Sequence, residues 1–417
     1  VTSSVTSSVT SSVISSTLTA FDLAWCQRVA AAFVGSGPSL GAALRSVFVL
    51  DLGRTARPRL VWRHADTGHH MSSRTTDATE GSTQNTTVEA IRSQLENFIA
   101  EQLGPDSAPR VGAVEPVSTG RSRENWLFEL SWSDSTGEHT ESLIARRDPD
   151  GGLIETDRAT EFAILQALAG SGVPSPPARW LDADGAALGK PSLVMARLGG
   201  TCDYYLINGE RPESERVDIA QRFCDLLAAV HQVDWRRAGF EQFLTDPGVD
   251  AASHELRYWQ SVLERDRLES YPELALASRW LEQKAPPSPR TVLVHADFKA
   301  GNILLDDHDQ ITGLLDWELT HLGDPHEDLG WITQPLRRRE HLIDDAWEPE
   351  HLFTRYESVT GHPVNRESVH WWNVFSTYKT AVMQVSGLRS FVEGRSDELY
   401  QPSAAVLVEL LDTTVDR

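Results

Sequence analysis

One stretch restricts the fold more than any other. Residues 291–331 read TVLVHADFKAGNILLDDHDQITGLLDWELTHLGDPHEDLGW. The apolar run TVLV has the character of a buried strand and delivers His295-Ala296-Asp297, and Asn302 follows five residues after that Asp. Two more apolar runs, ILL and ITGLL, flank the polar turn Asp306–Gln310 and predict a hairpin centred near Asp309. On that centre Asn302 and Asp316 fall opposite each other at the open end. An amide oxygen beside a carboxylate, with a second carboxylate near, suits a hard divalent ion. Mg²⁺ takes a few oxygen ligands at about 2.0–2.1 Å and fills its remaining positions with water and phosphate. H-x-D alone recurs by chance, whereas H-x-D-x-x-x-x-N followed by a hairpin whose far end is Asp is specific to phosphoryl transfer.

The rest of the chain supplies a frame for that motif. VEAIRSQLENFIAEQL (88–103) puts Ile91, Leu95, Phe98 and Leu103 near one helical face. Residues 111–148 read as strands, with WLFELSW and ESLIARR forming a hairpin across the polar SDSTGEH. A helix follows from Thr156, its expected cap, to Ala169, with Phe162, Leu165, Leu168 and Ala169 on one face; Gly172 and VPSPP stop it. ARWLD and SLVMARL read as two more strands, and from Ala220 onward the pattern is mainly helical. The predicted class is therefore α+β: a small strand-rich unit, a hinge near Met195–Gly200, and a larger helical unit.

Composition narrows the function classes. Acidic residues outnumber basic ones 60 to 38, for a formal charge of −22. A nucleic-acid binder needs a basic footprint, so no nucleic-acid partner is expected. No apolar run reaches the roughly 18 residues of a membrane span, so no membrane partner is expected either. Cys26, Cys202 and Cys224 are far apart and lack C-x-x-C spacing, which reads as free thiols in a cytoplasmic protein. Residues 1–70 look foreign to the rest: they open on the uncharged repeat VTSSVTSSVTSSVISS and carry six Arg against three Asp. The first methionine is Met71, an expected true start. Gly37-Pro38-Ser39-Leu40-Gly41 fits G-x-S-x-G, but Gly-Ser-Gly-Pro occupies the place where a nucleophile elbow needs a strand.

The 291–331 stretch resembles the catalytic core of the aminoglycoside phosphotransferase-like kinases, and LLDWELTHLGDPHEDLGW is most similar to the kinase domains associated with acyl-CoA dehydrogenases. The resemblance covers roughly residues 110–400 and implies a protein-kinase-like two-lobe fold, with an antiparallel-sheet N-lobe and a mainly helical C-lobe. It implies ATP and Mg²⁺ as cofactors and a small-molecule hydroxyl as acceptor, in a monomer or homodimer. The expected organisation is an N-terminal extension over 1–87, disordered or mis-annotated, a leading helix over 88–105, a nucleotide-binding lobe over 106–198, and a catalytic and substrate lobe over 199–417.

By the same resemblance Asp297 is the expected catalytic base, and Asn302 and Asp316 are the expected Mg²⁺ ligands. His295 holds the catalytic loop. Glu318 assists at the metal or braces the loop, and Asp328 accepts backbone hydrogens from it. Ser118–Asn125, with Gly120 and Ser122, matches the phosphate-covering loop, and the backbone near Ala196–Leu198 meets the adenine. Glu161 matches the helix glutamate that pairs with a strand lysine. No lysine precedes Lys190, so Arg146 stands in that place, or Arg147 if the register is one residue off. An impaired kinase fold kept for binding or regulation is the alternative, and Arg146 is its one support.

Overall fold

In the computed structural model the described residues are 49–51, 59–61, 77–117, 124–148, 151, 153–154 and 157–414. The chain divides into two units, Val1–Thr76 and Asp77–Arg417. In the first, β1 (Val49–Asp51) pairs antiparallel with β2 (Arg59–Val61). Cys26, Ser39 and Met71 lie outside the described residues, as do Gly120 and Ser122 of the second unit.

The second unit opens with α1 (Asp77–Leu103). The helix starts eleven residues before Val88, so residues 77–87, assigned to the extension, belong to it. Once nucleated, a helix adds one hydrogen bond per residue and needs no apolar face to propagate. Ile91, Leu95, Phe98 and Ile99 are buried.

Strands β3 (Arg110–Val117), β4 (Glu124–Asp134) and β5 (Gly137–Arg147) follow. The next helix, α2 (Arg158–Leu168), is capped by Asp157 rather than Thr156: the Asp157 carboxylate accepts the Ala159 N–H. Then come β6 (Ala178–Asp182) and β7 (Ser192–Ala196). The five strands form one antiparallel sheet in the order β3-β4-β5-β7-β6. Alternation decides which side chains face where. Phe128, Leu130, Leu143, Ala145 and Val194 join the α1 core, while Leu193 and Met195 join the larger core that includes Leu165 and Leu168 of α2.

The chain leaves the sheet after Ala196. Gly200, at φ +117, approaches the Leu305 carbonyl so closely that an added Cβ would lie 2.8 Å from it. The helical lobe holds α3 (Glu213–His231), α4 (Ala251–Asp266), α5 (Pro272–Lys284), β8 (Val292–Val294), β9 (Ile303–Leu305), β10 (Ile311–Leu314) and β11 (His321–Gly323). It ends with α6 (His326–Thr333), α7 (Arg338–His341), α8 (Pro349–Thr360), α9 (Arg366–Val392) and α10 (Ala404–Thr414). Trp371 and Trp372 of α9 are buried in its core. Gly330 lets α6 lie directly on α9, since an added Cβ would sit 2.5 Å from the Trp372 Cβ. No helix among the described residues is long and apolar enough to cross a membrane.

Candidate active site

β8 pairs with β11 and β9 with β10, and the loop from His295 to Asn302 runs between the two pairs. His295 is fully buried. Its Nε2–H donates to the Leu315 carbonyl at 3.0 Å, and Nδ1 accepts the Asp297 N–H at 3.3 Å. Burial pushes its imidazole below the ordinary range, which keeps Nδ1 an acceptor. Ala296 takes a left-handed conformation at φ 65. Asp328, buried on α6, accepts the N–H of His295 and of Ala296, each at 2.8 Å. Asp328 Oδ2, which takes the His295 N–H, also receives His231 Nε2 at 3.0 Å.

Asp297 Oδ2 receives Lys299 Nζ at 2.5 Å and Asn302 Nδ2 at 3.1 Å. With its N–H groups turned to Asp297, the Asn302 amide keeps its oxygen for another partner. Asn302 does not face Asp316 across the hairpin. Its carbonyl accepts the Leu315 N–H at 2.8 Å, one residue short of the expected register. The turn is the reason: Ile311 pairs with Leu305, which centres the hairpin on His308 rather than Asp309, and a bulge at Thr312, past which Gly313 pairs with Leu304, recovers one of the two positions lost. Asp316 then leaves the strand in a left-handed conformation, φ 70, which Asp tolerates better than most residues.

That turn brings Asp316 to the sheet lobe. Arg146 Nη2 donates to Asp316 Oδ1 at 2.9 Å, Nη1 donates to Glu161 Oε1 at 2.8 Å, and Glu318 Oε2 lies 3.5 Å from Nη2. The strand arginine that meets the helix glutamate is thus Arg146. Arg147 points to the other face, where it donates to the Leu188 carbonyl at 2.8 Å. Burial would lower the pKa of Arg146, but Glu161, Asp316 and Glu318 outweigh it and raise it above the usual arginine range. Burial likewise opposes the ionised form of Asp316, yet Arg146 and Lys299 hold its carboxyl below the usual carboxylate range.

Two cations at the site were not singled out from the sequence. Arg158, fully buried on α2, pairs with Glu161, with Asp148 at 2.6 Å and with Glu318 at 3.4 Å. Its only local signal is the i,i+3 spacing to Glu161, and a first-turn Arg opposes the helix dipole and reads as a surface residue. Lys299 lies inside the motif, one of four lysines in the chain, two residues after the Asp it contacts. At the hinge the sheet takes up part of the expected adenine contact: Ala196 donates its N–H to Pro177 O and Arg197 donates to Ser142 O, each at 2.9 Å. Leu198 packs near Gly313 under β10.

A five-stranded antiparallel lobe joined by a hinge to a helical lobe, with an Asp–Asn loop facing an Arg–Glu–Asp network, defines a kinase-like phosphotransferase fold. The family model described as "Phosphotransferase enzyme family" matches residues 113–357, more than half of the chain, and the chain belongs to that family. It is 27% identical over 242 residues to acyl-CoA dehydrogenase family member 10 of Mus musculus, covering 57% of this chain and 21% of that protein. It is 26% identical over 260 residues to family member 11 of Rattus norvegicus, covering 58% of this chain and 33% of that protein. Similarity thus spans at most a third of either relative's length. Among solved structures, a candidate aminoglycoside phosphotransferase of Ralstonia eutropha JMP134 superposes with a TM-score of 0.58 at 22% identity, covering 77% of this chain and 94% of that one.

Proposed function

We propose that this chain transfers the γ-phosphoryl group of ATP, with Mg²⁺, to the hydroxyl of a small molecule. One observation carries the reading. In the cleft between the lobes three cations (Arg146, Arg158, Lys299) meet five carboxylates (Asp148, Glu161, Asp297, Asp316, Glu318). A partly buried excess of negative charge is costly without a cation to neutralise it, and the Asn302 amide oxygen with the Asp316 carboxylate is an all-oxygen donor set that suits Mg²⁺. When bound, Mg²⁺ neutralises charge on the phosphate oxygens.

The chain's own residues do the rest. Asp297 accepts the acceptor hydroxyl's proton at Oδ1, since Oδ2 is engaged by Lys299 and Asn302. Lys299 balances the Asp297 charge and supplies a cation beside the proton acceptor. Arg146, oriented by Glu161, serves the nucleotide phosphates where a lysine commonly stands. His295, Asp328 and Glu318 hold the loop and the network rather than the substrates.

The acceptor is a hydroxyacyl-CoA-like metabolite or an aminosugar-like compound. The arginine run of residues 337–339 gives the first little support. Arg337 stacks on Trp331 at 4.2 Å and lies 3.3 Å from Glu340, while Arg338 pairs with Glu348 and Asp344. ADP release from Mg-ATP across a panel of hydroxy compounds tests the reading. The expected result is stimulation by at least one class and a loss of about 10²–10⁴-fold in Asp297→Ala, the usual worth of a general base. No stimulation, together with no Mg-ATP binding, refutes it. The contact of Arg146 with Asp316 favours a second reading, an impaired kinase fold. Under it Arg146→Lys gains turnover; under the first reading it does not.

A further inference from the structure

Behind the catalytic loop lies a second charged cluster that the transfer reaction does not use. It joins Glu255 of α4, His321 of β11, Glu327 of α6 and Lys379 of α9, and Glu327 and Lys379 are each 2% exposed. His321 Nε2 lies 3.0 Å from Glu327 Oε2 and 3.7 Å from Glu255 Oε1, and its Nδ1 lies 2.9 Å from the Leu319 carbonyl. Both ring nitrogens face acceptors, so both carry protons and the ring is an imidazolium. Burial alone would lower its pKa, but Glu255 and Glu327 raise it to about 10. The Glu255, His321 and Glu327 ligand atoms lie within 4.8 Å of one another, close enough to hold a metal. The place of the cation is already taken: His321 lies against both carboxylates, Lys379 against Glu327, and His254 Nδ1 lies 3.6 Å from Glu255 Oε1.

Lys379 is not centred on its carboxylate. Its Nζ is 3.7 Å from Glu327 Oε1, which has no hydrogen-bond partner among the described residues. It donates instead to the Ala296 carbonyl at 2.9 Å. Trp259 and Trp331 present their ring faces to it at 5.5 and 5.2 Å. Ala296 is the left-handed residue between His295 and Asp297, and its N–H is held from the other side by Asp328. That conformation is strained for an L-residue with a Cβ, so it persists only where its surroundings impose it.

We propose that Lys379 is a positioning residue for Asp297: its ammonium grips the Ala296 carbonyl from behind while Asp328 grips the amide, and the two together set the direction in which Asp297 leaves the loop. The consequence for catalysis rests on Asp297 as the proton acceptor proposed above; the grip on the loop does not. A base displaced by about 1 Å loses about 10²-fold in rate. Lys379→Met leaves Glu327 unbalanced and can fail to fold, so Lys379→Met/Glu327→Gln removes the grip and the orphaned charge together. Leu410→Ala, a core truncation at the α9–α10 packing, is the control for general destabilisation.

The full chain is compared by hydrogen exchange of the backbone amides of residues 295–300 and by steady-state kinetics. The expected result for the double variant is a folded protein whose loop amides exchange at least about tenfold faster. Its kcat falls by about 10- to 100-fold while KM for ATP stays within about twofold, the pattern of an interaction that acts on the transition state; Leu410→Ala shows neither change. Unchanged loop exchange in the folded double variant overturns the proposal, as does an equal kcat loss in Leu410→Ala. A wild type that phosphorylates nothing refutes the proposed function instead, and the exchange comparison still decides the role of Lys379.

Discussion

The two charged clusters that flank the catalytic loop use the same residue types to opposite ends. On the cleft side, three cations meet five carboxylates, and Asp316 keeps a quarter of its side chain exposed. On the far side, His321 and Lys379 meet Glu255 and Glu327, His254 lies 3.6 Å from Glu255, and Glu327 and Lys379 are almost wholly buried. A cluster with its carboxylates matched by cations has no need of a guest, and what it can supply is a fixed geometry. One with an excess of carboxylates has capacity left over, which is what the proposed metal–nucleotide complex requires. Under the roles proposed above, it is charge balance, rather than the mere presence of acids and bases, that distinguishes the two clusters.

Four measurements break or sharpen that contrast. The largest effect is expected at Arg158. Arg158→Met leaves Glu161 and Glu318 short of a buried partner and should cost about 3–5 kcal/mol in urea unfolding. Arg366→Met, which removes the exposed pairs with Glu350 and Glu357, should cost at most about 1 kcal/mol. Equal losses would show that Arg158 is not an essential part of the network. Next comes Mg²⁺ without nucleotide. At a hundred times its Kd it should stabilise the protein by about 2.7 kcal/mol, an effect lost in Asp316→Ala and retained in Glu255→Gln. The reverse pattern would move the metal to the far cluster.

The third effect is set by pH. His321 has a folded pKa of about 10 against an ordinary 6.5, so its contribution is fully present below about pH 6.5 and drains away as pH rises to about 10. Wild-type stability should decline across that window, with a shallower decline in His321→Gln; parallel slopes would remove the imidazolium from the far cluster. The smallest effect is at Ala296. Glycine takes its left-handed backbone without strain, so Ala296→Gly should be neutral or stabilising by up to about 1 kcal/mol in thermal unfolding. A clear loss of stability would mean that the Ala296 methyl packs more than it strains.

Much of the frame was legible in residue patterns. The WLFELSW–ESLIARR hairpin, β6 and β7 follow alternation and turn chemistry, both local properties. Arg146 is the residue the resemblance puts at the strand-lysine position, alternation lets only one of Arg146 and Arg147 face Glu161, and the contact observed is that of Arg146. The same kind of reasoning slipped by one residue at the β9–β10 hairpin. The count is centred on Asp309, whereas the turn is centred on His308, and nothing in the polar DDHDQ marks that centre or the Thr312 bulge that recovers one position. The α1 boundary was missed for a related reason, since polar residues 77–87 carry no periodic signal.

By itself the sequence determined the order of strands and helices, the two-lobe division and the motif that brings Asp297 and Asn302 together, because each of these is written in neighbouring residues with a period or a fixed spacing. Beyond the Arg146–Glu161 pair and the loop contacts of Asp328, the tertiary structure alone decided the partners of the buried charges. Arg146 meets Asp316 across 170 positions and Lys379 meets Ala296 across 83. Contacts so distant in the chain leave no local trace, because electrostatic energy depends on distance in space and on the water excluded around a pair.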